Sequence, residues 1–328
     1  MHQALWGARA GALSRRRFLA GAGTVAAWAR TRTLVHGAEK AAKPPELAWV
    51  RTNESLQLNF GPRPVARYQL TKPANGGASV ESGCYFHPVH SPAGTLVTDV
   101  GPEDHRHHRG VFMGWVEVNG PAKGDFWGWG EPAPTANRRI VNRSMEPTPP
   151  IFGSARFRAL NEWVADSKVL LKEELRVVTG LNDGATLINL SMQFTVDAPV
   201  KLGRWAFGGF AVRTRKDGEL VAVNEAGTVK LAAPKHTDPN SNWPDATWYG
   251  LHLKLADGKE ATVAVANRPS NPKTTWHVVS SIGLINPCIT APTEVEILPD
   301  KPLVLRYRVM VCDGAPKVDL LNRLAAAG

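Results

Sequence analysis

The stretch VLLKEELRVVTGLNDGATLINLSMQFTV, residues 169–196, carries the clearest fold signal in this sequence. Its two halves, residues 169–178 and 186–196, are rich in the β-branched and aliphatic side chains that favour strands. Between them, residues 182–184 read Asn-Asp-Gly, the residue types that a tight hairpin turn requires. The stretch therefore predicts a β hairpin.

Further strand patterns lie on both sides of this hairpin. Residues 55–60 alternate between apolar and polar side chains, as a half-buried strand does. Residues 303–311 are the longest strand candidate, and helical periodicity occurs only in residues 318–326. Many short strands with turn signals between them favour an all-β fold, and the length favours a large two-sheet β-sandwich, either a supersandwich or a jelly roll. The proline-rich residues 132–134 and 147–150 are expected to form loops.

Composition and charge exclude several classes of function. Of the 328 residues, 43% are hydrophobic and 21% charged, so the chain can bury a large core. The net charge is +10, but six arginines precede the first acidic residue, Glu39, and the remaining excess is spread thinly. Nucleic-acid binding needs clustered Lys and Arg, and is therefore disfavoured. The sequence also lacks the Walker, GxSxG, HExxH and dinucleotide-binding motifs, which argues against nucleotide binding and serine hydrolase chemistry.

The first 40 residues are predicted to be a targeting segment. The sequence SRRRFL at residues 14–19 matches the twin-arginine export pattern, and a short apolar run follows at residues 20–29. This run is too short to span a membrane, and no later stretch approaches about 18 uninterrupted apolar residues. We expect a twin-arginine signal peptide in residues 1–40, a periplasmic location without a membrane span in the mature protein, and a single β-sandwich domain in residues 41–328.

Half of the ten histidines lie within residues 84–130, at His87, His90, His105, His107 and His108. Imidazole exchanges protons near neutral pH and ligates metals, and a neighbouring carboxylate can fix its tautomer. In an extended conformation, alternate histidines of residues 104–109 share a face. In a turn, His105 and His108 converge. We predict that this stretch forms the floor of an active or binding site.

The candidate catalytic residues are histidines and carboxylates that can act as general acid and base, namely His105, His108, Asp104, Asp125 and His277. The candidate substrate-binding residues offer polar donors or flat apolar faces, and they are Arg109, His87, Asn119, Trp127 and Trp276. The sequence specifies no cofactor. A divalent metal is the alternative, with ligands drawn from His87, His105, His107 and His108.

The order of several short motifs resembles the PmoA-like family, labelled methane oxygenase PmoA. The resemblance covers most of the chain after residue 40, and the motifs that carry it are FHPV at residues 86–89, DH at 104–105, HHRG at 107–110, VNG at 118–120, DFW at 125–127, NEAG at 224–227, SNP at 270–272, WH at 276–277, NP at 286–287, LRYRV at 305–309 and DG at 313–314. Cys288 departs from the pattern, because an aromatic residue usually follows the Asn-Pro pair. The resemblance implies an exported protein of a carbohydrate-degrading bacterium with a galactose-mutarotase-like supersandwich. The label itself implies a metal-dependent oxygenase.

The leading hypothesis is a periplasmic carbohydrate-active enzyme, a hydrolase, lyase or epimerase that acts on a small molecule or oligosaccharide. His105 or His108 would be the general acid or base, Asp104 or Asp125 would orient it, and Arg109 would hold a substrate oxygen. Two alternatives remain open: the oxygenase that the family label implies, and a sugar-binding sandwich without catalytic activity.

Overall fold

The computed structural model describes residues 46–74 and 77–327. The predicted signal peptide, residues 1–40, lies outside the described residues. In the described part, 21 strands form three sheets, and one α helix follows them near the C-terminus. None of the helices in the described part is long and apolar enough to cross a membrane.

The first large sheet has eight strands, in the spatial order β1 (Leu47–Arg51), β2 (Ser55–Phe60), β3 (Arg63–Gln69), β4 (Tyr85–Val89), β5 (Val111–Gly114), β13 (Gly209–Arg213), β19 (Leu284–Cys288) and β18 (Thr275–Val279). The second has nine, in the order β15 (Gly227–Thr228), β14 (Gly218–Asn224), β16 (Trp248–Leu255), β17 (Glu260–Asn267), β21 (Leu303–Asp313), β11 (Ala185–Thr195), β10 (Lys168–Asn182), β9 (Ser154–Ala165) and β8 (Arg138–Ile151). A small third sheet contains β20 (Val295–Ile297), β12 (Val200–Leu202), β6 (Val118–Asn119) and β7 (Lys123–Gly124). The helical elements are α1 (Val318–Ala326) and two single 3-10 turns, Pro239–Ser241 and Ser280–Ile282.

The hairpin predicted from residues 169–196 is confirmed as β10 and β11. The two strands pair in antiparallel fashion up to Asn182 opposite Ala185, so the turn consists of Asp183 and Gly184. These two residues have φ values of 50° and 74°. Positive φ at both central positions is what a type I′ turn requires, and Asp and Gly tolerate it. The local residues therefore fix the register of this hairpin.

The two large sheets pack face to face around the main hydrophobic core. Tyr68 of β3 contacts Phe157 of β9 with ring centroids 5.1 Å apart, and Phe210 of β13 stacks on Tyr307 of β21 at 4.4 Å. The core cluster draws buried aliphatic and aromatic side chains from both sheets. Burial of the two inner faces against each other is the physical basis of a sandwich. The predicted all-β, large two-sheet β-sandwich is confirmed.

Each large sheet also has an outer apolar surface that another element covers. On the nine-stranded sheet, Leu321 and Leu324 of helix α1 join a buried cluster with Trp248. On the eight-stranded sheet, Phe112 of β5 joins a separate buried cluster with Trp127, which lies in a loop. The loops that cover the outer face of the eight-stranded sheet contribute residues to the walls of a cavity.

The prediction of a loop at residues 147–150 is wrong, because strand β8 runs through them. This strand is at the edge of the nine-stranded sheet, where a proline loses no ladder hydrogen bond on its outer side. The pairing of β8 with β9 shifts register between Thr148 and Ile151. The prolines thus occupy the irregular end of an edge strand.

Candidate functional site

A cavity of about 320 Å³ lies on the outer face of the eight-stranded sheet. Its lining combines imidazole, aromatic and aliphatic side chains from separate parts of the chain, namely His105, His107, His108, Trp127, Trp129, Phe207, Pro234, His236, His277, Val279, Ile282 and Leu284. Four of the ten predicted catalytic and substrate-binding residues meet here, and they are His105, His108, Trp127 and His277.

The histidine-rich segment forms a turn, which is the second of the two predicted geometries. The His105 amide donates to the Pro102 carbonyl at 3.0 Å, and the His108 amide donates to the His105 carbonyl at 2.9 Å. The rings of His105 and His108 stack with centroids 4.7 Å apart, while His107 meets His108 edge-on at 4.6 Å. The turn therefore delivers three imidazoles to one cavity.

Asp104 is the centre of a charge network beside this turn. Its carboxylate accepts hydrogen bonds from Arg213 Nη2 at 2.9 Å and Lys216 Nζ at 2.8 Å, and it lies within ion-pair distance of His105 Nδ1, at 3.1 Å. Burial acts to raise the pKa of Asp104, but the hydrogen bonds from Lys216 and His105 and the charge of Arg213 hold it well below its usual range. Asp104 is therefore ionised and contacts the histidine that it was predicted to orient.

His108 is a neutral histidine in a fixed position. Its side chain is 1% exposed, and its Nδ1 lies 3.2 Å from Arg213 Nη1. A guanidinium can only donate, so Nδ1 accepts and the ring proton is on Nε2. Burial, together with the positive charge of Arg213, holds the pKa of His108 well below its usual range. Arg213, which locks this tautomer, was not predicted, because nothing near it in sequence marks a site.

Strand β18 separates two residues that the sequence placed in the same site. Successive side chains of a strand point to opposite faces. Trp276 and Val278 belong to the main core, whereas His277 and Val279 line the cavity. Trp276 is 0% exposed and packs against Tyr249 at 5.1 Å. The prediction that Trp276 binds substrate is therefore wrong.

The structure fixes His277 as an uncharged imidazole. Asn242 directs its amide Nδ2 to the Ala206 carbonyl at 2.6 Å, so its Oδ1 is free to accept from His277 Nδ1 at 2.9 Å. The proton on Nδ1 leaves Nε2 of His277 unprotonated. Burial lowers the pKa of His277 to about 4. His277 therefore lines the cavity in one tautomer, in which Nε2 is the nitrogen that can accept a proton.

Trp127, Trp129 and Phe207 form an aromatic wall. Phe207 lies 5.3 Å from Trp127 and 5.2 Å from Trp129, centroid to centroid, and His236 meets Trp129 edge-on at 5.9 Å. Trp127 is 1% exposed, so the half-buried Trp129 is the tryptophan of this wall whose face suits the C–H face of a sugar ring. Phe207 and His236 were not predicted, because each is an isolated residue that tertiary structure brings to the site.

Asp125 holds the loop that carries the two tryptophans. It is 0% exposed, and its two oxygens accept the amides of Gly128 at 2.7 Å and Gly130 at 2.6 Å. The φ values of these glycines, 110° and 91°, belong to the region that favours glycine. The predicted catalytic role of Asp125 is not supported, since backbone amides occupy its carboxylate.

Arg109 was predicted to hold a substrate oxygen, but its side chain is 0% exposed. Its guanidinium lies 4.6 Å from the centroid of Phe112, and burial lowers its pKa to about 9. It donates to the backbone carbonyls of His107, Met113, Phe126 and Trp127. Arg109 therefore ties the histidine turn to the tryptophan loop, and the binding prediction is wrong.

Two further predicted residues lie outside the cavity lining. His87 Nδ1 is 3.0 Å from Thr98 Oγ1, next to the cis peptide bond that precedes Pro88. Asn119 lies on β6 in the small sheet and donates to Glu117 at 3.1 Å. Both lie close to the histidine turn in sequence, but the fold places each of them outside the cavity lining.

The alternative metal ligands are not assembled as a set. His105, His107 and His108 share the cavity, whereas His87 does not line it. Within residues 46–74 and 77–327, no group of three or more His, Cys, Asp or Glu side chains has the arrangement of a metal site.

The buried neutral histidines predict a loss of stability in acid. Burial lowers the pKa of His87 and of His277 from 6.5 to about 4. Below about pH 6.5 the unfolded chain therefore binds protons that the folded chain does not, which favours unfolding. We expect each residue to remove roughly 2–3 kcal/mol of unfolding free energy between about pH 7 and pH 4.5. Urea titrations at both pH values measure this, and His277→Gln should reduce the loss. Equal stability of the unmodified protein at both pH values would contradict the assignment.

Several solved structures are similar to this chain. An α-galactosidase of family GH36, AgaB from Geobacillus stearothermophilus, has 11% identity and a TM-score of 0.44 over 82% of this chain and 41% of its own. A galactose mutarotase related enzyme from Lactobacillus acidophilus has 10% identity and a TM-score of 0.33 over 82% and 98%. A Synechocystis protein has 9% identity and a TM-score of 0.37 over 83% and 97%. The chain thus spans about two fifths of the α-galactosidase.

The family comparison corrects the predicted resemblance. No curated protein matches the chain. The assignment to the PmoA-like family is wrong, because the family model that matches is a different one, and the oxygenase hypothesis loses its basis with that label. The matching model covers residues 55–326 and is described as a family of unknown function, DUF6807. The chain belongs to the DUF6807 family.

Proposed function

We propose that this protein is carbohydrate-active: it binds a sugar ring in the cavity on the eight-stranded sheet and acts on it by proton transfer. One observation carries the proposal: the neutral imidazole of His277 lines the same cavity as Trp127 and Trp129. The volume of about 320 Å³ suits a small ligand. Aromatic faces can hold the ring, while the imidazoles address its hydroxyl or C–H groups.

Two histidines take different parts in the proposed chemistry. His277 Nε2 accepts a proton from the sugar, because its Nδ1 proton is held by Asn242. His105, in contact with the ionised Asp104, is the candidate to return a proton. The ionisable groups that line the cavity are imidazoles, which favours an epimerase or lyase over hydrolysis by a pair of carboxylates.

A sugar-binding protein without catalytic activity is the second candidate, because His107, His108 and His277 are buried and held neutral. The test is a panel of monosaccharides and oligosaccharides, with binding followed by tryptophan fluorescence and turnover by NMR. Epimerised, eliminated or cleaved product supports the enzyme. Binding without product favours the second candidate, and the absence of any binding overturns both.

Loss of an aromatic face should weaken sugar binding. Trp129→Ala removes a half-buried ring from the cavity wall, so we expect the Kd of a bound sugar to rise about tenfold, which corresponds to roughly 1.4 kcal/mol. Trp49→Ala is the matched control, since Trp49 is also half-buried but lies on β1, outside the cavity lining. Equal losses in the two variants would contradict a stacking role.

We also propose export by the twin-arginine route, which rests on the sequence SRRRFL at residues 14–19. Replacing Arg15, Arg16 and Arg17 together by lysine should retain the precursor in the cytoplasm, because the receptor recognises guanidinium groups rather than charge alone. Immunoblots of periplasmic and cytoplasmic fractions measure this. Undiminished periplasmic protein from the triple variant would overturn the proposal.

A further inference from the structure

A second pocket, of about 380 Å³, contains a buried arginine without a partner. Arg138 is 5% exposed, and its guanidinium makes no hydrogen bond or ion pair within residues 46–74 and 77–327. Its Nε is a buried donor without an acceptor, and leaving a buried donor unpaired costs free energy. The pocket is large enough to hold a group that accepts hydrogen bonds from the guanidinium.

The surroundings of Arg138 favour an anion as that group. Ser79, Thr135 and Asn137 add hydroxyl and amide groups to the lining. Glu81 is the carboxylate in the lining. It is exposed and already paired with Lys72, so its charge is partly neutralised.

The other nearby carboxylate is also engaged. Asp125 acts electrostatically on Arg138, but its oxygens accept the Gly128 and Gly130 amides. Arg109, fully buried, repels Arg138 from the other side. Within the described residues, neither Glu81 nor Asp125 contacts the guanidinium of Arg138, so its charge has no counter-ion in contact.

This pocket and the first cavity share one loop. Gly128 lines the second pocket, whereas its neighbours Trp127 and Trp129 line the first. A side chain at Gly128 would collide with His107, since a Cβ there would lie 2.6 Å from the His107 Cβ. The two pockets are therefore separated by little more than the loop backbone and one imidazole.

We propose that the Arg138 pocket is an oxyanion subsite that receives the carboxylate or sulfate group of an acidic saccharide. The guanidinium fork matches the two oxygens of a carboxylate or sulfate. The anionic group itself is inferred from the pocket alone, whereas its saccharide source rests on the function proposed above. A free inorganic anion offers the same chemistry, so the experiment separates these sources.

The first measurement is the Kd of inorganic sulfate by calorimetry at constant ionic strength, with the full chain. We expect Arg138→Gln to weaken sulfate binding at least tenfold. Arg156→Gln is the control, because Arg156 is an exposed arginine on β9 outside this pocket and should leave the Kd unchanged. Equal affinity in both variants, or no sulfate binding to the unmodified protein, overturns the subsite.

The second measurement identifies the source of the anion. A disaccharide that carries one glucuronate residue is expected to bind at least tenfold more tightly than its neutral counterpart, because the loop between the two pockets keeps a single ring from reaching both, and Arg138→Gln should abolish that difference. An acidic disaccharide that binds no better than the neutral one overturns the saccharide source. If Arg138→Gln does not fold, crystals of the unmodified protein soaked in selenate decide instead: an anomalous peak beside Arg138 supports the subsite, and its absence overturns it. Selenate binding without turnover of any sugar would leave the subsite standing while the proposed activity fails.

Discussion

In the His277→Gln variant, turnover of the sugar should fall roughly a hundred- to ten-thousandfold, the usual cost of losing a general base. Glutamine has a similar volume and can still meet Asn242, which contacts His277 Nδ1 at 2.9 Å, but it offers no basic nitrogen. The folded state should persist, because the change removes no charge at neutral pH. Steady-state kinetics and thermal melts of both proteins measure the two effects.

The matched control is His252→Gln. His252 is also buried, at 8% exposure, but it lies on β16 in the nine-stranded sheet and contacts Glu260. Its replacement should leave turnover unchanged. The proposed turnover by the unmodified protein should be lost only as the pH falls to about 4, where His277 becomes protonated. Equal losses in the two variants, or full activity of His277→Gln, would show that His277 is not the base.

Asp125→Ala should destabilise the protein by roughly 1–3 kcal/mol, because it removes the charged acceptor of two partly buried loop amides. The hydrogen bonds to Gly128 and Gly130 are 2.7 and 2.6 Å long, and they hold the loop that carries Trp127 and Trp129. We therefore expect weaker sugar binding in the same variant. Urea unfolding and fluorescence titration measure these losses.

Asp125→Asn distinguishes this loop role from the catalytic role that the sequence suggested. Asparagine keeps one acceptor oxygen, so a loop role predicts roughly half of the stability loss of the alanine variant, with most of the activity retained. A catalytic carboxylate predicts the opposite result, normal stability with lost turnover. That second outcome would refute the role assigned to Asp125.

The predictions that held depend on short-range signals. Alternation over residues 55–60 and the Asn-Asp-Gly turn at residues 182–184 reflect the period of a strand and the φ preferences of single residues. The terminal helix, α1 (Val318–Ala326), also follows from local periodicity. The loop prediction for residues 147–150 failed because whether a strand accepts proline depends on its place in the sheet.

The candidate site was predicted in part. The dense histidines marked a segment that lines the cavity, but they left its geometry open between an extended segment and a turn. The structure shows the turn, in which the His108 amide donates to the His105 carbonyl. The strand period alone could have excluded Trp276 once His277 was chosen, because neighbours in a strand cannot face the same side. No such local rule identified Phe207 or His236.

By itself, the sequence determined that this chain forms an all-β sandwich, and it drew attention to the histidine-rich turn that lines the cavity. Only the tertiary structure decided which polar groups line that cavity and which hold the scaffold. The sequence marked Arg109 and not Arg213, yet Arg109 joins two loops through backbone carbonyls and Arg213 locks the tautomer of His108. The reason is physical: strand geometry is set by neighbours along the chain, whereas burial, pKa and tautomer are set by side chains that arrive from distant strands.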